Sequence, residues 1–151
     1  MLRSIALLFA AAGALCQSAI AQPLADQNFE VTRLYGKPVQ YEKSPSLAFG
    51  LDGRVSGRGG CNNYGAEYST KAVKKRVRNS RRSKARTINV STVRFRNISS
   101  TRMYCGPGSM VEGRFFSALR SARRYVLKDG SLTIYGARGR APIMTLTKVA
   151  M

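Results

Sequence analysis

The chain contains no histidine and no tryptophan, and only seven of its 151 residues are acidic. The lack of histidine excludes Ser-His-Asp triads, Cys-His pairs, histidine-ligated zinc and histidine proton shuttles. The few carboxylates do not form an evident acid and base pair, since only Asp26 and Glu30 lie at helical spacing. We therefore predict that the protein is not an enzyme and holds no cofactor and no metal.

Basic and apolar residues are plentiful by contrast. Lys and Arg total 26, the formal net charge is +19, and 44% of the residues are hydrophobic. Val, Ile, Leu, Phe and Tyr recur throughout the second half of the chain, which is not the composition of a disordered basic tail. The length and composition indicate one domain with a modest core.

The N-terminal residues have the pattern of a secretory signal peptide. Arg3 precedes an uncharged run, Ile5 to Leu15, and Ala19-Ile20-Ala21 supplies the small residues that signal peptidase requires. The run is shorter than the roughly 20 residues of a transmembrane helix, although an uncleaved anchor is the alternative. We predict a signal peptide at 1–21 and an exported protein, periplasmic or secreted. Lipidation at Cys16 is disfavoured because the bulky Leu15 precedes it.

Cleavage after residue 21 would leave two cysteines, Cys61 and Cys105. In an oxidising compartment we expect a disulfide between them, and two buried free thiols are the alternative. Two thiolates without histidine cannot fill a tetrahedral zinc site.

Most of the mature chain has strand periodicity. A polar lead-in at 22–28 precedes the first strand, and Asp52-Gly53 and Asp129-Gly130 are typical of hairpin turns. A change of phase near Ser91-Thr92 indicates a bulge or a break in the strand. The predicted strands are Phe29 to Tyr35, Leu47 to Leu51, Tyr64 to Ser69, Ile88 to Val90, Val93 to Phe95, Tyr125 to Lys128, Leu132 to Tyr135, and Ile143 to Lys148.

One helix is predicted at about 108–124. Ser109 and Glu112 have the spacing of a capping box, in which each side chain accepts a free amide of the first turn. An apolar stripe follows, formed by Val111, Phe115, Ala118, Leu119 and Ala122. Strands with tight turns plus one long helix predict an α+β domain with an antiparallel sheet.

A basic segment, residues 71–86, interrupts this pattern with nine cations in 16 residues and no acidic residue. Repulsion among like charges favours an extended, solvated loop. Such a loop would contact a polyanion, or it would be a solubilising insertion without a specific partner. No aromatic side chain is interleaved to stack on bases, which makes nucleic acid an unlikely partner. The nine cations are Lys71, Lys74, Lys75, Arg76, Arg78, Arg81, Arg82, Lys84 and Arg86.

Three segments in order resemble the META domain of HslJ-like heat-shock and envelope proteins. Gly57 to Tyr64 matches the pattern G-x-x-G-C-N-N-Y, and Thr101 to Cys105 is similar to T-R-M-A-C, with Tyr104 in place of Ala. The third is the helix with the hairpin that follows it. The resemblance covers 29–149, and its motif residues are Gly60, Asn62, Asn63, Tyr64, Thr101, Arg102 and Met103.

The resemblance implies a curved antiparallel sheet or partial barrel around the helix, in a bacterial envelope protein without established catalysis. Phe29 stands where the family usually has Trp, and the family's link between the two motifs is short and mostly neutral. Asn62 and Asn63 suit a tight turn, for which the alternative is a ligand-binding turn that uses their amides and Arg102. A bridge between Cys61 and Cys105 would tie the sheet to the helix.

These observations together predict a non-catalytic envelope protein, a stress or envelope-integrity factor that contacts anionic surfaces through residues 71–86. Its partners would be anionic lipid head groups, lipopolysaccharide or acidic cell-wall polymers. The alternative function is a polyanion-binding or nucleic-acid-binding protein. The predicted signal peptide disfavours the nucleic-acid role, since DNA binding would fit an unexported chain better.

Overall fold

The computed structural model describes residues 24–78 and 84–150. The predicted signal peptide at 1–21, together with Cys16, lies outside the described residues, as do Arg81 and Arg82 of the basic segment.

Nine strands and one helix make up the described chain. The helix, α1 (Pro107–Ser121), lies between the sixth and seventh strands. The strands are β1 (Gln27–Leu34), β2 (Lys37–Pro38), β3 (Ser46–Phe49), β4 (Arg54–Arg58), β5 (Asn63–Val77), β6 (Arg86–Ser100), β7 (Arg124–Lys128), β8 (Ser131–Tyr135) and β9 (Pro142–Val149).

All nine strands belong to one antiparallel sheet with the order β2-β1-β3-β4-β5-β6-β7-β8-β9. Strand β1 also pairs with β9, so every strand except the short β2 has a hydrogen-bonded neighbour on each side over part of its length. Strands hold 55% of the described residues and the helix 12%. The predicted α+β class, with a curved sheet or partial barrel, is therefore wrong, and the fold is mostly sheet with one short helix.

The error arises mainly from β5 and β6, which are each 15 residues long. The short strand predicted at Tyr64 to Ser69 continues to Val77, so the first half of the basic segment is strand and not a loop. The predicted bulge or break near Ser91-Thr92 is also wrong, because β6 is continuous and regularly paired there. The register shifts instead between Gly65 and Glu67.

The core lies between the sheet and the helix. Phe29, Leu47, Leu132, Ile134 and Leu146 are fully buried and face the core from their strands. The strand predicted at Leu47 to Leu51 ends at Phe49, and Leu51 lies in the following turn with 83% of its surface exposed. Aromatic rings link the strands edge to face, with the Phe49 ring centroid 4.8 Å from that of Tyr68 and 6.0 Å from that of Phe29. Phe29, where the family usually has Trp, is thus a central core residue.

Helix α1 closes the core with the predicted stripe. Phe115, Ala118, Leu119 and Ala122 are buried, and Phe116 joins them at the side of the stripe. Pro107 occupies the first turn, where its missing amide costs nothing. The helix ends at Ser121, earlier than predicted, because β7 begins at Arg124.

Candidate functional site

The side chain of Asn62 is the only buried polar side chain among the described residues, with 3% of its surface exposed. Its oxygen accepts hydrogen bonds from the Thr101 hydroxyl at 2.8 Å and from the Met103 amide at 2.7 Å. Its nitrogen donates to the Met103 carbonyl at 3.0 Å and to Glu112 Oε1 at 2.9 Å. We call these four residues the Asn62 cluster. It joins the start of β5, the end of β6 and the helix.

Glu112 has a different role from the one predicted. Its Oε2 accepts the backbone amide of Asn62 at 2.5 Å, so the carboxylate holds a residue distant in sequence. The residue at the helix N-cap is Gly106, which makes no side-chain cap, and the Ser109 hydroxyl accepts the Cys105 amide at 3.2 Å. The predicted capping box is therefore wrong. The spacing of Ser109 and Glu112 could not show that Asn62, distant in sequence, would bind the Glu112 carboxylate in place of the helix first turn.

A disulfide joins Cys61 and Cys105 beside the cluster, with their Cα atoms 5.8 Å apart. It links the residue before Asn62 to the segment that enters the helix, which confirms the predicted disulfide. The glycines nearby allow this approach. A Cβ on Gly59 would lie 2.9 Å from Phe116 Cζ. Gly60 has a positive φ of 132°, and a Cβ there would lie 3.1 Å from the Gly108 carbonyl oxygen.

Tyr64 continues the packing from the motif into the core. Its hydroxyl donates to the Ser46 carbonyl at 3.0 Å. Its ring centroid lies 5.3 Å from that of Phe115 and 5.6 Å from that of Phe116. Burial raises the pKa of the Tyr64 hydroxyl far above its ordinary value, so it stays neutral over the physiological range.

Most family-motif residues thus support the structure. Asn62, Thr101 and Met103 share one hydrogen-bond network, and Gly60 and Tyr64 pack against the helix and the core. The side chains of Asn63 and Arg102 are exposed instead. A ligand-binding turn would need both asparagine amides accessible, and that of Asn62 is fully engaged within the protein.

The basic segment lies at the opposite end of the same two strands. Lys71, Lys74, Lys75 and Arg76 belong to β5, and Arg86 begins β6. Arg78 and Lys84 lie just beyond the strand ends and are exposed. From Val73 to Val77 the only strand that pairs with β5 in the described chain is β6, so the segment forms a two-stranded ribbon that extends past the sheet.

Cross-strand pairing explains how so basic a segment forms strands. Lys74 lies opposite Asn89, Lys75 opposite Ile88, and Arg76 opposite Thr87. Each of these cations therefore faces a neutral partner, and neighbours in sequence point to opposite faces of the ribbon. The β-branched residues at Val73, Val77, Ile88 and Val90 also favour strand.

Little negative charge offsets these cations. In the described part of the chain the one ion pair joins Lys128 to Asp129 at 3.9 Å, and both side chains are more than 80% exposed. The cations of residues 71–78 and 84–86 are therefore available to an external anion.

No group of three or more His, Cys, Asp or Glu side chains suitable for a metal ion occurs within residues 24–78 and 84–150. Across the same residues, no helix has the length and apolar character needed to cross a membrane.

Family comparison agrees with the motif geometry. The family model described as META domain matches residues 22–148. The chain belongs to the META domain family. No curated protein matches this META-domain protein.

A solved structure titled "NMR structure of the protein" is similar in fold. The TM-score is 0.54 and the identity 21%, over 81% of the META-domain chain and 88% of that chain. At this identity the likeness supports the fold alone.

Proposed function

We propose that this META-domain protein is a non-catalytic, exported envelope protein that contacts anionic surfaces through the basic segment. A role in stress tolerance or envelope integrity fits such a contact. The observation that carries the proposal is the exposed ribbon at 71–78 and 84–90, whose cations have no carboxylate partner in the described structure.

The ribbon also has an apolar component that favours a lipid surface over a purely polar polyanion. Lys71, Val73, Lys75 and Val77 share one face of β5, and Ile88 and Val90 lie opposite them on β6. The side chains of Val73 and Ile88 are 45% and 36% exposed. Cations beside exposed apolar side chains suit the boundary between head groups and acyl chains.

The expected strength of the contact follows from the number of cations. Each Lys or Arg near an anionic bilayer contributes about 1 kcal/mol, and the contribution decays within a Debye length, about 10 Å at 0.1 M salt. Five cations of the ribbon therefore provide enough attraction for salt-sensitive binding.

The test is sedimentation of the purified protein with vesicles of phosphatidylcholine and phosphatidylglycerol at low and high salt. One variant replaces Lys71, Lys74, Lys75, Arg76 and Arg86 with Gln, and we expect its affinity to fall at least about a hundredfold. The control variant removes the same charge elsewhere, at Arg33, Lys37, Arg58, Arg102 and Lys148. Both variants keep the N-terminal segment, so its contribution cancels.

The control variant should lose much less affinity than the ribbon variant, and high salt should release the wild-type protein. Equal losses in the two variants would show that net charge alone drives binding. Absence of wild-type binding at low salt would refute the contact. Export is tested separately, by fractionation of the native cell and by the mass of the mature N-terminus.

A further inference from the structure

A cleft of about 630 Å³ lies between the end of β5 and the loop that joins β8 to β9. These two sides come from distant parts of the chain, and Arg124 at the start of β7 also lines the cleft. Five of its eight lining residues are basic, and none is acidic. The five basic residues are Lys75, Arg78, Arg124, Arg138 and Arg140.

Arg124 organises the cleft. Its Nη2 donates to the Gly139 carbonyl at 2.7 Å and to the Gly136 carbonyl at 3.4 Å, so the loop folds around the guanidinium. The guanidinium carbon also lies 5.4 Å from the centre of the Tyr135 ring. Both hydrogen bonds use Nη2, so the N–H donors on Nε and Nη1 are not used to hold the loop.

The loop that Arg124 holds carries two more arginines. Arg138 and Arg140 are exposed on either side of Gly139, and they line the cleft opposite Lys75 and Arg78. No described carboxylate pairs with any of these side chains. Cations gathered without counter-charges repel one another, and a bound anion relieves the repulsion.

The number and type of these groups indicate the ligand. A guanidinium matches the oxygens of a phosphate with two parallel hydrogen bonds, and a lysine adds a compact charge. A carboxylate or a phosphodiester carries a single charge, and each phosphate monoester carries about −1.5 to −2 at neutral pH. A group with two or more phosphates therefore brings at least two charges to the cleft. The cleft volume is within the range of ordinary ligand sites, about 300–1,000 Å³.

We propose that this cleft binds groups that carry two or more phosphates. The source is either a lipid head group or a soluble molecule. The inference deepens the proposed function and rests on it for the lipid source, because Lys75 and Arg78 belong to both the cleft and the basic segment. Arg124, Arg138 and Arg140 were not among the binding residues predicted from the sequence. Their signal there is the basic run Arg138-Gly139-Arg140 after a predicted strand.

Isothermal titration of the purified protein with pyrophosphate tests the site itself. The loop variant carries Arg138→Gln and Arg140→Gln, and we expect it to bind pyrophosphate at least tenfold more weakly than the wild-type protein. The matched control, Arg58→Gln with Arg102→Gln, removes the same charge from residues outside the cleft and should change binding less than twofold. Lys75→Gln, on the opposite wall, should also weaken binding, which covers the case that the loop variant does not fold.

Equal weakening in the loop variant and the control variant, or no wild-type binding of pyrophosphate, would overturn the cleft proposal.

Vesicles then identify the source of the phosphates. Cardiolipin, with two phosphates, is compared with phosphatidylglycerol at equal surface charge. A preference for cardiolipin that the loop variant loses assigns the lipid source.

Pyrophosphate binding without that preference assigns a soluble source. If wild-type protein binds pyrophosphate but neither kind of vesicle, the proposed surface contact fails while the cleft stands. If it binds both vesicles equally and no pyrophosphate, the cleft fails while the surface contact stands.

Discussion

The hairpin of β5 and β6 has two ends of opposite chemistry. At its base, Asn62 is buried, both polar atoms of its side chain are bonded, and a disulfide lies next to it. At its tip, the cations of the basic segment are exposed and lack carboxylate partners in the described structure. The same two strands thus connect a fully satisfied polar network to an unsatisfied charged surface.

The difference separates residues that stabilise the fold from residues that remain available for a partner. A buried polar group must find its hydrogen bonds within the protein, since leaving it unpaired costs about 1–3 kcal/mol. An exposed cation is solvated by water and contributes little to stability. Substitutions at the base should therefore change the free energy of unfolding, and substitutions at the tip should change binding.

The largest expected effect is loss of the disulfide at the base. Cys61 and Cys105 are 44 residues apart in sequence, and closing such a loop in the unfolded chain corresponds to about 4 kcal/mol in the chain-entropy model. We expect Cys61→Ser with Cys105→Ser to lower the free energy of unfolding by about that amount in urea titrations.

The control for the disulfide is the wild-type protein with and without reductant. Reduced wild-type protein should match the double variant, because both lack the same link. A double variant as stable as the oxidised protein would show that the Asn62 cluster holds the base together unaided.

The second prediction concerns the Asn62 cluster itself. Asn62→Ala removes the side-chain bonds to Thr101, Met103 and Glu112 and leaves buried groups without partners. We expect a loss of about 3 kcal/mol in the free energy of unfolding, measured with the disulfide intact. Asn63→Ala is the matched control. The side chain of Asn63 is exposed, so its removal should lower the free energy of unfolding by less than about 0.5 kcal/mol.

Similar losses in the two asparagine variants would contradict the assignment of the base as a buried network. They would indicate that the turn needs the backbone preference of asparagine and not the hydrogen bonds. A loss confined to Asn62 would confirm that one asparagine of the C-N-N-Y pattern is structural and that its neighbour is replaceable.

Sequence reasoning succeeded where a pattern is local. The apolar stripe of α1, the Asp129-Gly130 turn and the strands on either side of it follow from periodicity and turn chemistry, and the structure contains them. The motifs were also sufficient to identify the family. The pairing of Cys61 with Cys105 was predicted from their number and from the predicted export, although free thiols remained the alternative, and the structure contains the disulfide.

The failures involve partners distant in sequence. Glu112 fits a local cap, yet Asn62, 50 residues away, takes its carboxylate. The basic segment was assigned to a loop from repulsion along the chain, yet its cations alternate between faces and lie opposite neutral residues on β6. Both outcomes depend on contacts between residues distant in sequence, which a single sequence does not display. The assignment of the basic segment to a loop also contributed to the wrong fold class.

The smallest expected effect is at the tip. Replacing Lys71, Lys74, Lys75, Arg76 and Arg86 with Gln should change the free energy of unfolding by less than about 0.5 kcal/mol, because the side chains are exposed and unpaired. At low salt the change should be a slight gain, since it removes repulsion, and the gain should vanish at high salt. Urea titrations at the two salt concentrations measure it. A loss above about 2 kcal/mol would mean that the cations support the ribbon, and the tip would then belong with the base as part of the fold.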